Sequence, residues 1–427
     1  MSRRVVVTGM GCVTSLGSRV EQLWERLLEG RSGIGLATLF DASKFPTRIA
    51  AEVRDWDPAE LAGTVHGWQK LPRQTGFAIG AARRAMDLAG LDVDRLDPTR
   101  LGVYLGCGDA YQDFGQFVQI VSDSLGPEGI DRSRFMQSAL RTLDPQSEAE
   151  LEPHMPVSHI ASLFNAQGPV CSCFTACAAS SQAIGEATDL IRRGAAEVML
   201  AGGTHSLIHP FGMTGLGLLT AMSTQHNNDP TRASRPFDRD RDGFVLGEGA
   251  GVLVLEDYEH AIARGATIVG EIKGYGSSAD AYRVTDTHPE GRGAVQCMKL
   301  ALDEARLNPE DIDYINAHGT STEVNDKVET LAIKRVFGSQ AYRTPVSSTK
   351  SMTGHLLAAA GVTEVIVCLM ALRDNALPPT INYEHLDRQC DLDYIPNEAR
   401  GARCANVLTN SFGFGGQNVS LVVSRVA

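Results

Sequence analysis

Ala85-Met86-Asp87-Leu88-Ala89-Gly90-Leu91 is echoed later in the chain by Ala301-Leu302-Asp303-Glu304-Ala305-Arg306-Leu307. Each stretch closes a helical pattern, Thr75–Ala89 in the first case and Val295–Ala305 in the second. Each is followed by a Pro-containing turn (Pro98, Pro309) and then by a strand pattern. The echo points to two similarly wound halves that divide near residue 260, as 1–260 and 261–427. Around it, short β-branched runs alternate with amphipathic helical ones. Val5–Thr8, Gly102–Leu105, Val198–Ala201, Val252–Glu256, Ile312–Ile315, Asn406–Thr409 and Val419–Val423 read as buried strands. Ser180–Arg193 and Thr363–Arg373 add further helices. The alternation predicts an α/β protein with largely buried sheets. No low-complexity linker parts the halves, so they are expected to pack as one body.

The chain has 427 residues, 43% of them hydrophobic and 21% charged, which suits a globular protein with a large core. A net charge of −12 argues against general nucleic-acid binding, which needs a basic surface. Nine cysteines occur without any C-x-x-C pair, so zinc-ribbon and thioredoxin readings fail and reduced thiols in a cytoplasmic protein are expected. The start, Met1 to Gly9, superficially resembles a signal peptide, but Thr8, Gly9 and Gly11 break its apolar run and a buried first strand is the better reading. Leu356–Leu372 is apolar yet interrupted by Thr363 and Glu364, too short and too polar for a bilayer. From about Gly126 to Pro156 little periodicity is visible, and an irregular excursion is expected. Gly9-Met10-Gly11 lacks the third glycine of a dinucleotide fingerprint. Asp238–Gly249 does not match an EF-hand register and carries Arg239 and Arg241, so it reads as an ion-pair loop rather than a metal site.

Three polar islands carry the chemistry. In Ser172-Cys173-Phe174-Thr175-Ala176-Cys177-Ala178-Ala179-Ser180-Ser181, Cys177 stands where a strand-like stretch gives way to a helix. A helix N-terminus lowers a thiol pKa through the dipole and free N–H groups, so Cys177 is the candidate nucleophile; a buried structural role suits Cys171 or Cys173 better. His318 lies in Asn316-Ala317-His318-Gly319-Thr320-Ser321-Thr322, a hydroxyl-rich turn suited to a polar ligand arm, though a lone histidine there is also compatible with a core role. His355 follows Lys350 in Ser348-Thr349-Lys350-Ser351-Met352-Thr353-Gly354-His355, where a cation biases protonation unless the lysine is simply exposed. Near the end, Asn410-Ser411-Phe412-Gly413-Phe414-Gly415-Gly416 is a Gly-rich loop whose N–H groups can meet a developing oxyanion; a plain β-turn is the alternative.

These motifs, with Val5–Gly11, Arg235-Pro236-Phe237-Asp238 and Asp242-Gly243-Phe244-Val245, run in order through nearly the whole chain. Together they resemble the elongating type II β-ketoacyl-[acyl-carrier-protein] synthases. The resemblance implies a thiolase-like fold, with duplicated βαβαβαββ halves in an α-β-α-β-α arrangement, and homodimers. It implies that Cys177 is acylated and that His318 and His355 complete a Cys-His-His site supported by Lys350 and Glu364. It further implies an oxyanion hole from the amides of Cys177 and Phe412, with Phe412 gating the pocket, and pantetheine contacts from Thr320 and Thr322. The activity implied is decarboxylating condensation of an acyl thioester with malonyl-acyl-carrier-protein, with no metal or redox cofactor and no membrane or nucleic-acid partner.

Several positions depart from the family pattern. Cys173-Phe174-Thr175 precedes the nucleophile where an acidic residue is common, and Asp109-Ala110-Tyr111 stands where the acyl pocket is commonly glycine-rich and apolar. The 126–156 segment is unfamiliar too. Near the usual carrier-protein patch the basic candidates are Lys70, Arg73, Arg83 and Arg84. These departures leave the acyl substrate open between fatty acids and a specialised polyketide, polyene or lipid product. A non-decarboxylating thiolase is disfavoured because Asn410–Gly416 replaces a second catalytic cysteine. A non-catalytic ketosynthase-like subunit is disfavoured by Cys177, although this chain fits the active half of a heterodimer. A cysteine peptidase is the weakest reading.

Overall fold

The computed structural model describes residues 3–426, so Met1 and Ser2 of the signal-like start lie outside the described residues. Ten strands form one mixed sheet: β1 (Val5–Thr14), β2 (Leu101–Cys107), β3 (Val170–Cys173), β4 (Val198–His205), β5 (Gly249–Asp257), β6 (Gly270–Ala279), β7 (Tyr314–Asn316), β8 (Val346–Ser347), β9 (Asn406–Gly413) and β10 (Gln417–Ser424). The spatial order is β8-β7-β9-β10-β6-β1-β5-β4-β2-β3. Outward from the centre, both halves therefore follow the same order: first, fifth, fourth, second and third strand. Within the sheet they join through Val6 opposite Glu271 and Val7 opposite Gly270.

Five helices complete the layers: α1 (Arg73–Ala89), α2 (Ala179–Arg192), α3 (Arg292–Ala305), α4 (Glu323–Phe337) and α5 (Ala360–Asp374). Side chains alternate across β5: Val252 and Val254 pack outward with Phe77, Ala81 and Ala85 of α1, whereas Leu253 and Leu255 face inward. The inward face meets Ile184 and Ile191 of α2, Ile366 and Leu369 of α5, and Val419 and Leu421 of β10. On the far side α3 and α4 cover β7, β9 and β10 through Met298, Ala301 and Ile333. The result is the α-β-α-β-α arrangement, with α2 and α5 as the middle layer. Covered on both sides, α5 is buried without a break from Ala360 to Leu372. Among the described residues no helix is long and apolar enough to cross a membrane.

The sequence echo has a physical basis. α1 lies so close to β1 that a Cβ on Gly9 would sit 2.1 Å from the Ala85 carbonyl oxygen, and one on Gly11 would sit 2.2 Å from that of Ala81. In the second half Gly274 and Gly276 meet the carbonyl oxygens of Ala301 and Cys297 at 2.1 and 2.0 Å in the same sense. Both helices end in a left-handed residue, Gly90 (φ 59°) and Arg306 (φ 55°).

Two expectations of secondary structure need correction. Residues 126–156 are mostly helical rather than irregular: after a short hairpin (Leu125–Gly126 with Gly129–Ile130) come helices Arg132–Thr142 and Pro145–Ala149, then Met155–Leu163. Two are started by aspartate caps. Asp131 accepts the N–H groups of Ser133 and Arg134, and Asp144 accepts that of Ser147. Their weak periodicity reflects a half-exposed position, with Met136 and Leu140 facing outward. The strand expected at Ile312 begins at Tyr314, because Pro309–Asp311 forms a tight 3₁₀ turn.

Candidate active site

Cys177 sits in a 3₁₀ turn, Ala176–Ala178, between β3 and α2. Ala176 has φ 48°, a strained value for a residue with a Cβ, and the turn is held by close packing of the β9–β10 hairpin. That packing needs Gly413, since a Cβ there would lie 2.9 Å from the Thr175 carbonyl oxygen and 3.3 Å from the Cys177 nitrogen. Cys177 is 5% exposed, and its Sγ is 3.0 Å from His355 Nε2. His355 Nδ1 accepts the Leu357 N–H at 3.3 Å. An accepting Nδ1 puts the imidazole proton on Nε2, so His355 donates to the sulfur.

The ring of His318 stands edge-on to that of His355, with centroids 5.3 Å apart. Its backbone is anchored by Glu329, whose carboxylate accepts the N–H groups of His318 and Gly319, each at 2.8 Å, and Asn410 Nδ2 at 3.1 Å. Beneath the histidines Lys350 and Glu364 form a buried ion pair. Burial and the nearby Lys350 charge hold both His318 and His355 well below the ordinary histidine range, so both are neutral at pH 7. Burial pushes the Glu364 carboxyl up, against the pull of Lys350.

Cys177 corrects the sequence reading of its acidity. Burial pushes the thiol up to about 11, and this outweighs the lowering by Lys350 and by the backbone amides of Phe414 and Cys177. The backbone amides at the helix start lower the thiol pKa, but desolvation of the buried sulfur is the larger effect. The same contacts correct the assignment of Phe412. It lies inside β9 opposite Asn418, and its ring packs 5.7 Å from that of His318 on the pocket wall, so its amide is not the one that acts on the sulfur. The hairpin amide that reaches the sulfur is that of Phe414, a half-buried residue at the turn.

A pocket of about 350 Å³ leads from solvent to Cys177, His318 and His355 and is also lined by Thr320, Thr322, Phe244 and Phe414. The Thr320 and Thr322 hydroxyls are 2.9 Å apart. Thr322 also caps α4 by accepting the Asn325 N–H at 3.3 Å, so it is half committed to structure. Cys177 also packs in an apolar cluster with Leu207, Ile208, Met213, Met222, Leu246 and Leu357.

Lys70 and Arg73 fall away from this pocket and are engaged elsewhere. Lys70 pairs with Asp144 of the helical excursion. The Arg73 guanidinium donates to the buried Glu248 carboxylate and to the Val53 carbonyl at 3.1 Å, tying the start of α1 to the loop before β5. The 238–249 loop is the ion-pair loop expected: Arg241 pairs with Asp387 at 2.7 Å and Asp326 at 3.6 Å. Asp238, Asp240 and His385 lie close enough to share a cation. However, Asp238 already accepts the amides of Glu384 and His385 at 2.6 Å, and Arg235 and Arg239 flank the group.

Sequence reasoning missed Glu329 and Phe414. Glu329 is one of several acids on an amphipathic helix, and nothing local marks the one that points inward. Phe414 differs from Phe412 only in lying past the last paired residue of the strand.

Family models for the β-ketoacyl synthase N-terminal and C-terminal domains match residues 2–261 and 269–384. A 3-oxoacyl-[acyl-carrier-protein] synthase 2 of Coxiella burnetii is 45% identical, over 99% of each chain. Among solved structures, the ketosynthase described as "AntDE:AntF (apo): type II PKS acyl-carrier protein in complex with its ketosynthase bound to the hexaketide" superposes with a TM-score of 0.88 at 33% identity, covering all of both chains. "The ishigamide ketosynthase/chain length factor" superposes with a TM-score of 0.89 at 34% identity, again over all of both chains.

Proposed function

The chain belongs to the β-ketoacyl synthase family, and on that premise we propose that it condenses a Cys177-bound acyl group with malonyl-acyl-carrier-protein, releasing CO2 and β-ketoacyl-acyl-carrier-protein. The observation that carries this reading is Cys177 Sγ against the protonated Nε2 of His355, at the inner end of a pocket walled by His318 and two threonines.

The pocket admits a phosphopantetheine arm along Thr320 and Thr322, which brings the acyl thioester to the sulfur. The thiol ionises as it attacks, and the His355 Nε2–H, the Lys350 charge and the Phe414 amide stabilise the thiolate. The amides of Cys177 and Phe414 receive the oxyanion of the tetrahedral intermediate. The C–S bond to the carrier breaks, and the carrier thiolate takes up the proton that Cys177 lost. The acyl chain lies in the apolar cluster of Leu207, Ile208 and Met213.

Malonyl-acyl-carrier-protein then occupies the same entry. Neutral His318 and His355 donate to its thioester carbonyl as the carbon–carboxylate bond breaks and CO2 leaves. The electron pair passes to the α-carbon, which attacks the Cys177 thioester, and Cys177 departs as thiolate and takes a proton from solvent. Low histidine pKa values serve this step: a neutral imidazole donates a hydrogen bond without protonating the carbanion. The steps as written call on no metal or redox cofactor.

The partner is an acyl carrier protein. A second thiolase-like chain, most simply another copy of this one, pairs along β3. That strand ends the sheet with an unpaired edge, and Val170 and Phe174 are exposed there. The ishigamide ketosynthase/chain length factor pair favours a heterodimer as the second reading. Nine unpaired cysteines support a cytoplasmic setting. The test is intact-protein mass spectrometry with a panel of acyl carrier proteins, followed by malonyl-acyl-carrier-protein. An adduct on Cys177 that malonyl-acyl-carrier-protein discharges supports the reading. A folded protein that takes no acyl group from any carrier, alone or with a ketosynthase-like partner chain, overturns it.

A further inference from the structure

His205, the last residue of β4, is buried beside the catalytic turn and has no part in the chemistry above. Its Nδ1 accepts the N–H of Ala358 at 3.4 Å. The preceding amide, that of Leu357, is the one bound by His355 Nδ1 at 3.3 Å. Two histidines thus hold two consecutive N–H groups of one 3₁₀ turn, Leu357–Ala359, and Leu357 is strained there at φ 50°. A strained turn keeps its geometry only where neighbours over-determine it.

Space for the ring is made on purpose. Opposite it, Gly108 follows β2, and a Cβ there would lie 2.2 Å from both Cε1 and Nε2 of His205. On the other side, Gly203 of β4 lets the Ala358 carbonyl approach, since its Cβ would be 2.8 Å from that oxygen. His205 Nε2 is buried, and the ring has the Asp109 backbone as a further hydrogen-bonding neighbour. Burial lowers the His205 pKa to about 4, which keeps Nδ1 free to accept at neutral pH.

We propose that His205 is a positioning residue for the condensation: by holding the Ala358 N–H it fixes the turn that presents the Leu357 N–H to His355, and so keeps the His355 proton on Nε2, facing Cys177. The proposal rests on the Cys177–His355 reading, but its test needs no carrier protein.

The experiment measures the rate of Cys177 alkylation by iodoacetamide between pH 6 and 10, located by peptide mapping, in the full chain and three variants. In His205→Asn the side-chain oxygen takes the place of Nδ1. In His205→Gln the amide reaches the Nε2 position instead, and His205→Leu has no acceptor. The expected result is a roughly three- to ten-fold loss for Leu and Gln, the size of one net hydrogen bond, with the pH profile displaced upward, and near-full rescue by Asn. Thermal unfolding followed by circular dichroism confirms that the compared variants are folded, and the Asn/Gln pair decides the matter even where Leu is unstable. Equal rates in all variants, or Asn no better than Gln, overturn the proposal. Failure of the wild-type protein to accept any acyl group defeats the proposed function and leaves this comparison readable.

Discussion

Desolvation and the helix terminus pull the Cys177 thiol in opposite directions, and the pH dependence of its alkylation shows which wins. The structure places the thiol at about 11 against an ordinary value of 9.0, with burial the largest cause. Two units correspond to about 2.7 kcal/mol against the thiolate, or roughly a hundred-fold less thiolate than an unperturbed thiol carries at pH 7.5. The alkylation rate of Cys177 is therefore expected to rise about ten-fold per pH unit from 7 to 10 with no plateau. Removing the Nε2–H donor by His355→Leu takes away a hydrogen bond to a charged sulfur, worth about 1.5–3 kcal/mol, and lowers the rate at pH 8 by roughly ten- to a hundred-fold. Lys350→Met acts in the same direction, because the ammonium lowers the thiol pKa. Iodoacetamide at fixed excess, quenched over time and quantified on the Cys177 peptide, reads all three. A plateau below pH 8 in the wild-type protein would refute the reasoning: it would mean that the amides and the Lys350 charge outweigh burial, and that a resting thiolate is preformed.

Cys177→Ala removes little volume from a fixed turn; the variant is expected to keep the wild-type circular dichroism and to form no acyl adduct by intact mass. His318→Ala is expected to slow CO2 release from malonyl-acyl-carrier-protein at least a hundred-fold, while acylation of Cys177 falls far less, because of the two histidines it is His355 that contacts the sulfur. Glu256 is held down to about 2, from 4.5, by Arg264, His260 and Thr8 despite its burial. Its stabilisation, about 3 kcal/mol, is present above pH 4.5 and lost as pH falls toward 2, so urea unfolding of Arg264→Met should show a shallower loss between those values than the wild type. Gly276→Val places a side chain against the Cys297 carbonyl oxygen, and soluble yield or melting temperature should drop sharply, since backbone on both sides cannot give way.

The chain order of elements, the duplication and the candidate nucleophile were legible because each is written locally. Alternating apolar runs mark strands, and the 85–91 and 301–307 segments repeat because both helices must end against a glycine-bearing first strand. Cys177, His318 and His355 stand in islands of small and hydroxyl residues, as a site that admits a substrate requires. Three things were decided only in the folded molecule. Residues 126–156 are helical because aspartate caps and packing outweigh weak periodicity. Phe414 rather than Phe412 reaches the sulfur because the ladder ends between them. Cys177 is a thiol because the fold buries it, and a sequence shows which dipoles and charges are near in the chain but not how much water folding removes. For the same reason Glu329 and His205 were silent: each acts through backbone N–H groups that only tertiary packing brings within reach.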